Sequence, residues 1–320
     1  MHTQLSDDAR EMERVVDTAL RRAGGVDLAR AAEATTAVPA EVTGALDQMG
    51  LWDLRPRESV DDGEAAAAAC RAAGRVALPY PVAERLAADP DAGVDAIAVG
   101  SGPATRVNLA ALTPELRWAV SDGAGWRRPV LSAGRPLGTK LGPLVSDVEL
   151  GTGEADDSTQ LALVLPCWTL LGMLETALAA TRQHMLDRHQ FDQPIASFQA
   201  LQFRFADTTT AFQAFEELTR YTLWAVLTGQ PGSAVDALAC RVSALETAEA
   251  VFRTAHQMHG AMGFCDEVDL SWLSRFSQPL RRLPWGLSRT RERLLDTMAD
   301  VPFTGLYGDG LVGSASRTLV

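Results

Sequence analysis

The sequence lacks the features that mark most membrane and secreted proteins. No uninterrupted apolar run reaches the roughly 18 residues that a membrane-spanning helix needs, although 47% of the 320 residues are hydrophobic. The first residues, Met-His-Thr-Gln-Leu-Ser-Asp-Asp, have neither the basic start nor the apolar segment of a secretory signal. These absences predict a cytoplasmic protein that does not enter a membrane.

Cysteine is scarce, and its spacing excludes the common metal and disulfide motifs. The four cysteines show no Cys-x-x-Cys spacing, so they indicate neither a zinc site nor a disulfide framework. We expect all of them to be small buried apolar residues in a reducing compartment. They are Cys70, Cys167, Cys240 and Cys265.

Positive charge is in deficit as well. The chain has 29 Lys and Arg against 41 Asp and Glu, which gives a formal net charge of -12. Binding of nucleic acid needs clustered basic residues that contact phosphates, so no nucleic-acid partner is expected. An acidic surface is instead typical of a protein kept in solution by its charge.

The pattern of apolar residues divides the chain into a helical, a β and a second helical part. In residues 1–93, Ser6 is a good N-cap before apolar residues at helical spacing, and Gly24-Gly25 ends this helix. Further helical patches lie near 40–49, 64–73 and 81–87. Residues 94–153 contain short alternating segments between Gly and Pro turns, which predict a small β domain. These segments are 97–99, 106–109, 117–120 and 145–150.

Residues 154–320 are predicted to form a helical bundle. Asp156-Asp157-Ser158 is a helix start signal, and Pro166 is expected to delay or kink the helix that follows. Four segments carry apolar residues at three- and four-residue spacing and are too long for strands. They are 159–188, 198–228, 233–259 and 287–299. Long helices joined by short loops are typical of an antiparallel bundle.

Two segments of this bundle resemble the paired signatures of the acyl-CoA dehydrogenase family. Residues 188–199 read Arg-His-Gln-Phe-Asp-Gln-Pro-Ile-Ala-Ser-Phe-Gln and are similar to the family's Arg-x-Gln-Phe-Gly-x-Pro-Ile segment. Residues 257–263 read Gln-Met-His-Gly-Ala-Met-Gly and are similar to its Gln-x-x-Gly-Gly-x-Gly turn. Asp192 and Ala261 each stand where the family usually has glycine. The resemblance implies a mainly α fold with a reduced middle β domain and a C-terminal four-helix bundle.

The resemblance also implies that these segments hold the ADP end of FAD across a subunit interface. It assigns Arg188 to the flavin pyrophosphate, to which a guanidinium offers a planar fork of donors, and Gln199 to the adenosine side. The other implied contacts are Gln190, Phe191, Gln257, Met258, His259, Gly260 and Ala261. Without the resemblance, Arg188 would cap its own helix, Phe191 would pack in the core, and Gln199 would be an exposed residue of a first helical turn.

Two features of the second signature have simpler interpretations. Gly260 alone would serve as a helix C-cap. His256 and His259 lie three residues apart on one helix and suggest a metal site, but no third histidine or carboxylate stands at a supporting spacing. The family uses no metal, so none is predicted.

The residues that the family uses for its chemistry are missing. Its members remove the α-proton of the substrate with a glutamate, which must reach the substrate, and the resemblance places this residue near 284–286 or near Ala162. The chain has no acid between Asp269 and Glu292, nor from Ser158 to Leu174. Residues 94–153 also lack the family's Thr-Glu-Pro-like and Trp-Ile-Thr-like strands around the flavin ring.

The chain therefore resembles the short subunit of heteromeric α2β2 acyl-CoA dehydrogenases of steroid side-chain degradation. The resemblance implies a full-length partner that supplies the glutamate and the flavin-ring site, an acyl-CoA substrate, a shared FAD, and an electron-transferring flavoprotein as acceptor. Two alternatives stay open. One is an enzyme that acts alone with a relocated base, Glu246 or Glu249, with Glu175 behind them. The other is a non-catalytic scaffold that uses the fold to dimerise.

Overall fold

The structure, a computed structural model, describes residues 4–35, 40–101, 105–121, 126–136, 142, 144–154 and 159–299. These residues form a mainly helical fold with a small sheet, which confirms the predicted fold class. The helices are α1 (Asp7–Arg22), α2 (Asp27–Thr35), α3 (Ala40–Gln48), α4 (Val60–Arg75), α5 (Val82–Leu86), α6 (Thr159–Asp187), α7 (Gln199–Leu227), α8 (Ser233–His259), α9 (Asp269–Arg282) and α10 (Leu287–Ala299). The strands are β1 (Ala96–Val99), β2 (Arg106–Ala110), β3 (Trp118–Ser121), β4 (Trp126–Pro136), β5 (Val145–Glu154), β6 (His189–Gln190) and β7 (Gln193–Pro194).

The N-terminal helices pack around α4. Ser6 caps α1 as predicted, because its hydroxyl oxygen accepts from the amide of Ala9 at 3.3 Å. Helix α4 is buried along most of its length and carries five consecutive alanines, Ala65–Ala69. Such small side chains let α1 and α6 approach it closely from two sides. The sequence did not predict α2.

The five-stranded sheet has the order β1-β3-β4-β5-β2. Strands β1 and β3 are parallel, and the other neighbours are antiparallel. Four of these strands were predicted, and β4 was missed because it contains Pro129, Gly134 and Pro136. The β4–β5 ladder shifts register between Arg127 and Pro129 and again between Val130 and Arg135, and such irregular places tolerate proline within a sheet.

The bundle follows the predicted helices closely. Helices α6, α7, α8 and α10 begin and end within one residue of the predicted segments, and α9 is an addition. Helix α6 begins before Pro166 and continues through it, so the expected delay at this proline was wrong. The predicted start signal at residues 156–158 lies outside the described residues.

Helix α6 is the centre of the molecule. Leu165, Trp168, Leu171 and Leu174 are fully buried, and they join the N-terminal helices and the bundle in one apolar core, while the sheet has a smaller core of its own. Within the part of the chain that the structure describes, residues Gln160–Asp187 alone are long and apolar enough by composition to cross a membrane. They contain polar residues and Pro166, so they form no uninterrupted apolar run. Because 78% of their most apolar window is buried, they serve as the core helix of this fold.

The prediction for the cysteines was right at three positions and wrong at one. Cys70, Cys167 and Cys240 are free and buried, whereas Cys265 is exposed. Cys265 directly follows the short 3-10 turn after α8, and its thiol donates to the carbonyl of Ala261 at 3.6 Å. A turn at the surface does not bury its side chains, which explains the exposure.

Candidate functional site: the signature end of the bundle

The first signature forms a tight hairpin directly after α6. Gln190 pairs with Gln193, and the amide of Ile195 donates to the carbonyl of Arg188 at 2.8 Å. The two turn residues, Phe191 and Asp192, have φ angles of 54° and 62°. A two-residue turn with positive φ at both positions is the type I′ turn, in which glycine, asparagine and aspartate are preferred. The family's glycine at the position of Asp192 therefore has a backbone reason, and aspartate can take its place.

The fold brings the two signatures together at one end of the bundle. Met185 of α6, Ile195 after the hairpin and Met258 of α8 form a separate buried cluster, with Phe198 and Phe205 packed against it. The imidazole rings of His184 and His259 also stack, with centroids 4.3 Å apart. We call this region the signature end. It joins segments that are far apart in the sequence, as the resemblance implies.

Most of the predicted contact residues are exposed at the signature end. Phe191 has 86% of its surface exposed and touches Phe198 edge-on at 6.1 Å between centroids, so the alternative of core packing was wrong. Arg188 is exposed and forms no ion pair with any residue that the structure describes. The other exposed members are Gln190, Gln199, Gln257, Gly260 and Ala261. Gly260 is also the C-cap of α8, with a φ of 60°.

Met258 and His259 differ from the other members because their side chains are buried. The Nδ1–H of His259 donates to the carbonyl of Ala255 at 2.9 Å. Burial lowers the pKa of His259 and of His184, and the charges of His259 and Arg188 lower that of His184 further. The stacked rings of His184 and His259 support the fold at this end of the bundle.

His256 lies apart from this pair. Its ring stacks on Phe264 at 4.3 Å between centroids, and its Nε2 lies 3.0 Å from the hydroxyl of Ser274. Within the described ranges, no group of three or more His, Cys, Asp or Glu side chains is arranged to hold a metal ion.

A groove between α8 and α9 opens next to the second signature. Its volume is about 680 Å³. It is lined by Glu249, Phe252, Arg253, His256, Gln257, Gly260, Phe264, Ser274, Gln278, Arg281 and Arg282. Glu249 accepts from Arg253 at 2.7 Å and from Arg281 at 2.6 Å. Three arginines against one carboxylate leave the groove net positive, which favours an anionic ligand.

The two positions at which the family carries its glutamate also come together. Ala162 of α6 and Pro284 line one small cavity of about 50 Å³ between the sheet and the bundle. Ligand sites are usually about 300–1,000 Å³, so this cavity is too small for an acyl thioester or a flavin ring. The adjoining Trp285 is buried. No acid occurs at either position.

One carboxyl group does line this cavity, and sequence reasoning missed it. Glu84 of α5 also lines an adjoining cavity of about 60 Å³. The signal available was a glutamate among the buried Val82, Ala83 and Leu86. A short helix gives no indication of which other elements it will face, so the position of Glu84 depends on tertiary structure.

The three carboxylates considered as relocated bases are all ion-paired. Glu246 bonds Arg291, and a hydrogen bond from Arg253 lowers the pKa of Glu249, to which the charge of Arg281 adds. Burial alone would raise the pKa of Glu175, but Arg71 and Arg75 lower it overall. A general base is most effective with a pKa near the working pH. The geometry therefore favours a structural role for these side chains.

The Asp192→Gly variant is expected to be about 0.5–1 kcal/mol more stable, because glycine takes a positive φ without steric cost. The matched variant Asp207→Gly, on the exposed face of α7, is expected to lose a few tenths of a kcal/mol because glycine weakens a helix interior. Urea unfolding of both variants measures the difference. Equal losses in the two variants would mean that the positive φ of Asp192 has no steric cost.

Part of the chain matches a family of known proteins. Residues 164–284 match the family model described as "Acyl-CoA dehydrogenase, C-terminal domain". Acryloyl-CoA reductase (NADH) of Anaerotignum propionicum is 30% identical over 105 residues, which are 33% of this chain and 26% of that protein. The chain thus matches about a quarter of the length of this curated relative.

Solved structures match over nearly the whole chain. A chain of the ChsE4-ChsE5 complex of Mycobacterium tuberculosis superposes with a TM-score of 0.73 at 17% identity, covering 94% of this chain and 100% of the other. The Tcur3481-Tcur3483 steroid ACAD G363A variant superposes with a TM-score of 0.70 at 18% identity, covering 93% and 99%. At these identities the likeness establishes the fold. Residues 164–284 thus match the family model of the acyl-CoA dehydrogenase C-terminal domain, and the described part of the chain has the acyl-CoA dehydrogenase fold.

Proposed function

We propose that this chain is a subunit of an FAD-dependent acyl-CoA dehydrogenase that works together with a full-length partner. In this proposal the signature end contacts the ADP end of a flavin, and the partner supplies the catalytic glutamate and the flavin-ring site. The observation that carries the proposal is the meeting of two distant sequence signatures at one exposed end of the bundle. The small cavity at the family's base positions supports the proposal that the partner supplies the glutamate and the flavin-ring site.

The chemistry of the signature end suits the ADP portion of FAD. That portion carries two phosphates and an adenine, so it needs positive charge, amide groups and an aromatic or apolar surface. Arg188 supplies a guanidinium without an ion-pair partner among the described residues, and Gln190, Gln199 and Gln257 supply exposed amides. Phe191 supplies an exposed ring. The positive groove beside Gln257 extends the same surface.

Substrate and partners follow from the same proposal. The reaction is α,β-dehydrogenation of an acyl-CoA, with a steroid side-chain thioester as the first substrate to test and an electron-transferring flavoprotein as the acceptor. The likeness to the ChsE4-ChsE5 complex and to the Tcur3481-Tcur3483 steroid ACAD supports a heteromeric assembly. We propose a cytoplasmic heterotetramer that shares FAD between its two kinds of subunit.

The Arg188→Ala variant tests the proposal in a complex of this chain with a full-length acyl-CoA dehydrogenase partner. A hydrogen bond to a charged group contributes about 1.5–3 kcal/mol, so FAD is expected to bind about tenfold to a hundredfold more weakly. Flavin absorbance of the purified complex during FAD titration measures this change. Dehydrogenase activity is expected to fall with flavin occupancy and to return at high FAD concentration.

The control is Arg182→Ala, which removes an exposed arginine from α6, the helix that ends just before Arg188. It is expected to leave FAD affinity unchanged. If Arg188→Ala also left flavin content and activity unchanged, the non-catalytic scaffold would be the better interpretation.

The other alternative is an enzyme that acts alone. It requires that the chain bind FAD and oxidise an acyl-CoA without a partner, and that Glu246→Gln or Glu249→Gln abolish turnover. We expect a colourless chain without the partner, and a yellow, active complex when both are produced together. A yellow, active lone chain would overturn the proposal.

A further inference from the structure

The groove between α8 and α9 is a positive region on an acidic chain, and we call it the α8–α9 groove. The chain has a formal net charge of -12, whereas Arg253, Arg281 and Arg282 line this groove against the one carboxylate of Glu249. His256 adds little charge at neutral pH, because burial lowers its pKa. Like charges that face one groove repel each other, so an anionic ligand would stabilise them.

Glu249 lies between two of these arginines as a bound anion would. One of its carboxylate oxygens accepts from Arg253 at 2.7 Å, and the other accepts from Arg281 at 2.6 Å. Arg281 lies deeper, since 15% of its side chain is exposed, against 73% for Arg253. A phosphate group offers the same kind of charged oxygen acceptor and carries more negative charge, so it can replace Glu249 between the two guanidinium groups.

An aromatic ring lines the same groove. The ring of Phe264 stacks on that of His256, with centroids 4.3 Å apart and an angle of 11° between the planes. Phe264 nevertheless has 71% of its surface exposed, so its face away from the histidine is open to a further flat ring. The exposed amide of Gln257 also lines the groove. Positive charge, an aromatic face and an amide are therefore available to one ligand.

We propose that the α8–α9 groove binds the adenosine phosphate group of a nucleotide, and that Glu249 holds the place of the phosphate until the nucleotide binds. Arg281 and Arg253 then receive the phosphate, and Phe264 stacks on the adenine. The volume of about 680 Å³ lies within the usual range of about 300–1,000 Å³ for ligand sites. Arg188 does not line this groove, so the inference does not require the contacts proposed for Arg188.

Calorimetric titration of the full chain with ADP tests the site, and inorganic pyrophosphate is expected to bind more weakly because it has no adenine. The Arg281→Gln variant is expected to bind ADP about tenfold more weakly, since it loses a hydrogen bond between charged groups. The matched control is Arg291→Gln, which removes an arginine of α10 outside the groove and is expected to leave ADP affinity unchanged. Thermal unfolding checks that each variant is folded.

The Glu249→Gln variant tests the place-holding role with an effect of the opposite sign. It is expected to bind ADP about threefold more tightly, because the arginines lose a competing carboxylate. A damaged fold cannot produce such a gain. Glu246→Gln removes a paired carboxylate of the same helix outside the groove and is expected to leave the affinity unchanged. No gain in Glu249→Gln, no loss in Arg281→Gln, or no binding of ADP to the wild type would overturn the inference.

Flavin dinucleotide and coenzyme A both carry an adenosine phosphate group, and two further titrations distinguish them. If the groove receives the flavin, the complex of this chain with a partner loaded with FAD no longer binds ADP. If the groove receives coenzyme A, the same complex still binds ADP, and coenzyme A displaces it. Binding of ADP that neither ligand prevents would mean an unspecific anion site and would overturn the inference.

The proposed function can fail without this inference. An Arg188→Ala complex with unchanged FAD binding would contradict the proposed flavin contacts and leave the groove as inferred. Weaker FAD binding in Arg188→Ala, together with unchanged ADP binding in Arg281→Gln, would contradict the inference alone.

Discussion

The Gly172→Ala variant is expected to lose about 3 kcal/mol of stability, near the top of the usual range for adding a methyl group to a packed interior. Gly172 of α6 faces the backbone of α4, and a Cβ there would lie well inside van der Waals contact of the Arg71 carbonyl oxygen. The contact is reciprocal, because a Cβ at Gly74 of α4 would overlap the carbonyl oxygen of Thr169. A backbone cannot move aside as a flexible side chain can, so the two helices must separate.

Separating α4 from α6 affects more than one contact. Arg71 and Arg75 of α4 donate to Glu175 of α6 at 2.9 Å and 3.0 Å, and the hydroxyl of Thr176 donates to the carbonyl of Arg75 at 3.1 Å. These bonds lie about one helical turn from Gly172. They weaken if the helices move apart, which adds to the cost of the methyl group.

The control for this prediction is Gly44→Ala in α3. No atom lies within 4 Å of a Cβ placed there, so alanine is expected to add about 0.5–1 kcal/mol through its higher helix propensity. Urea unfolding followed by circular dichroism measures both variants. Glycine-to-alanine substitution is thus expected to lower stability at Gly172 and to raise it at Gly44. A gain in stability at Gly172 would show that α4 and α6 pack less tightly than described.

The double variant Gly74→Ala, Gly172→Ala tests whether both glycines belong to the same contact between α4 and α6. Once the first methyl group has separated the helices, the second meets less resistance, so the two losses are expected to be less than additive. Additive losses would indicate two independent contacts.

The sequence predicted local structure well where one pattern dominated a long segment. Helix α8 was predicted to the residue because an apolar period of three and four residues continues from Ser233 to His259. Strand β4 was missed because the prolines and glycine that allow its bulges are also turn signals. Helix α9 was missed because it contains Pro279.

Features that depend on tertiary contacts could not be predicted in the same way. The exposed glutamines and Arg188 were recognisable because their order along the chain is a family pattern. Nothing local to Gly172 shows that it faces another backbone, and nothing local to Glu84 shows that it lines the cavity beside Ala162. The missing acids were visible in the sequence, but the small size of that cavity was not.

The Arg241→Met variant is expected to lose about 3 kcal/mol, because it removes a charged donor from three carbonyl groups that are buried or half-buried. Arg241 is 3% exposed, and its Nη2 lies 2.5 Å from the carbonyl oxygen of Leu283, 2.9 Å from that of Trp285 and 3.3 Å from that of Leu280. The last turn of α9 ends with carbonyls that no helical amide can reach. A cation beside them is also favoured by the helix dipole.

Burial opposes this arrangement and lowers the pKa of Arg241. Methionine removes the cost of burying the charge, but it cannot donate to the three carbonyls. Removing one partner from a buried polar group usually costs more than the group contributed when paired, so the loss of donors is expected to exceed the gain. The stability of Arg241→Lys is expected to lie between those of Arg241→Met and the wild type, since a single ammonium group reaches fewer carbonyls than the guanidinium does.

Arg253→Met on the same helix is the matched control. The Arg253 side chain is exposed and pairs with Glu249 at 2.7 Å, so its loss is expected to cost about 0–1 kcal/mol. Unfolding in urea, followed by circular dichroism, measures the stability of both variants. The loop at residues 283–285 also lines the cavity at the family's base positions. If Arg241→Met were as stable as the wild type, water would replace the guanidinium as donor to the three carbonyls. The loop would then keep its place without Arg241.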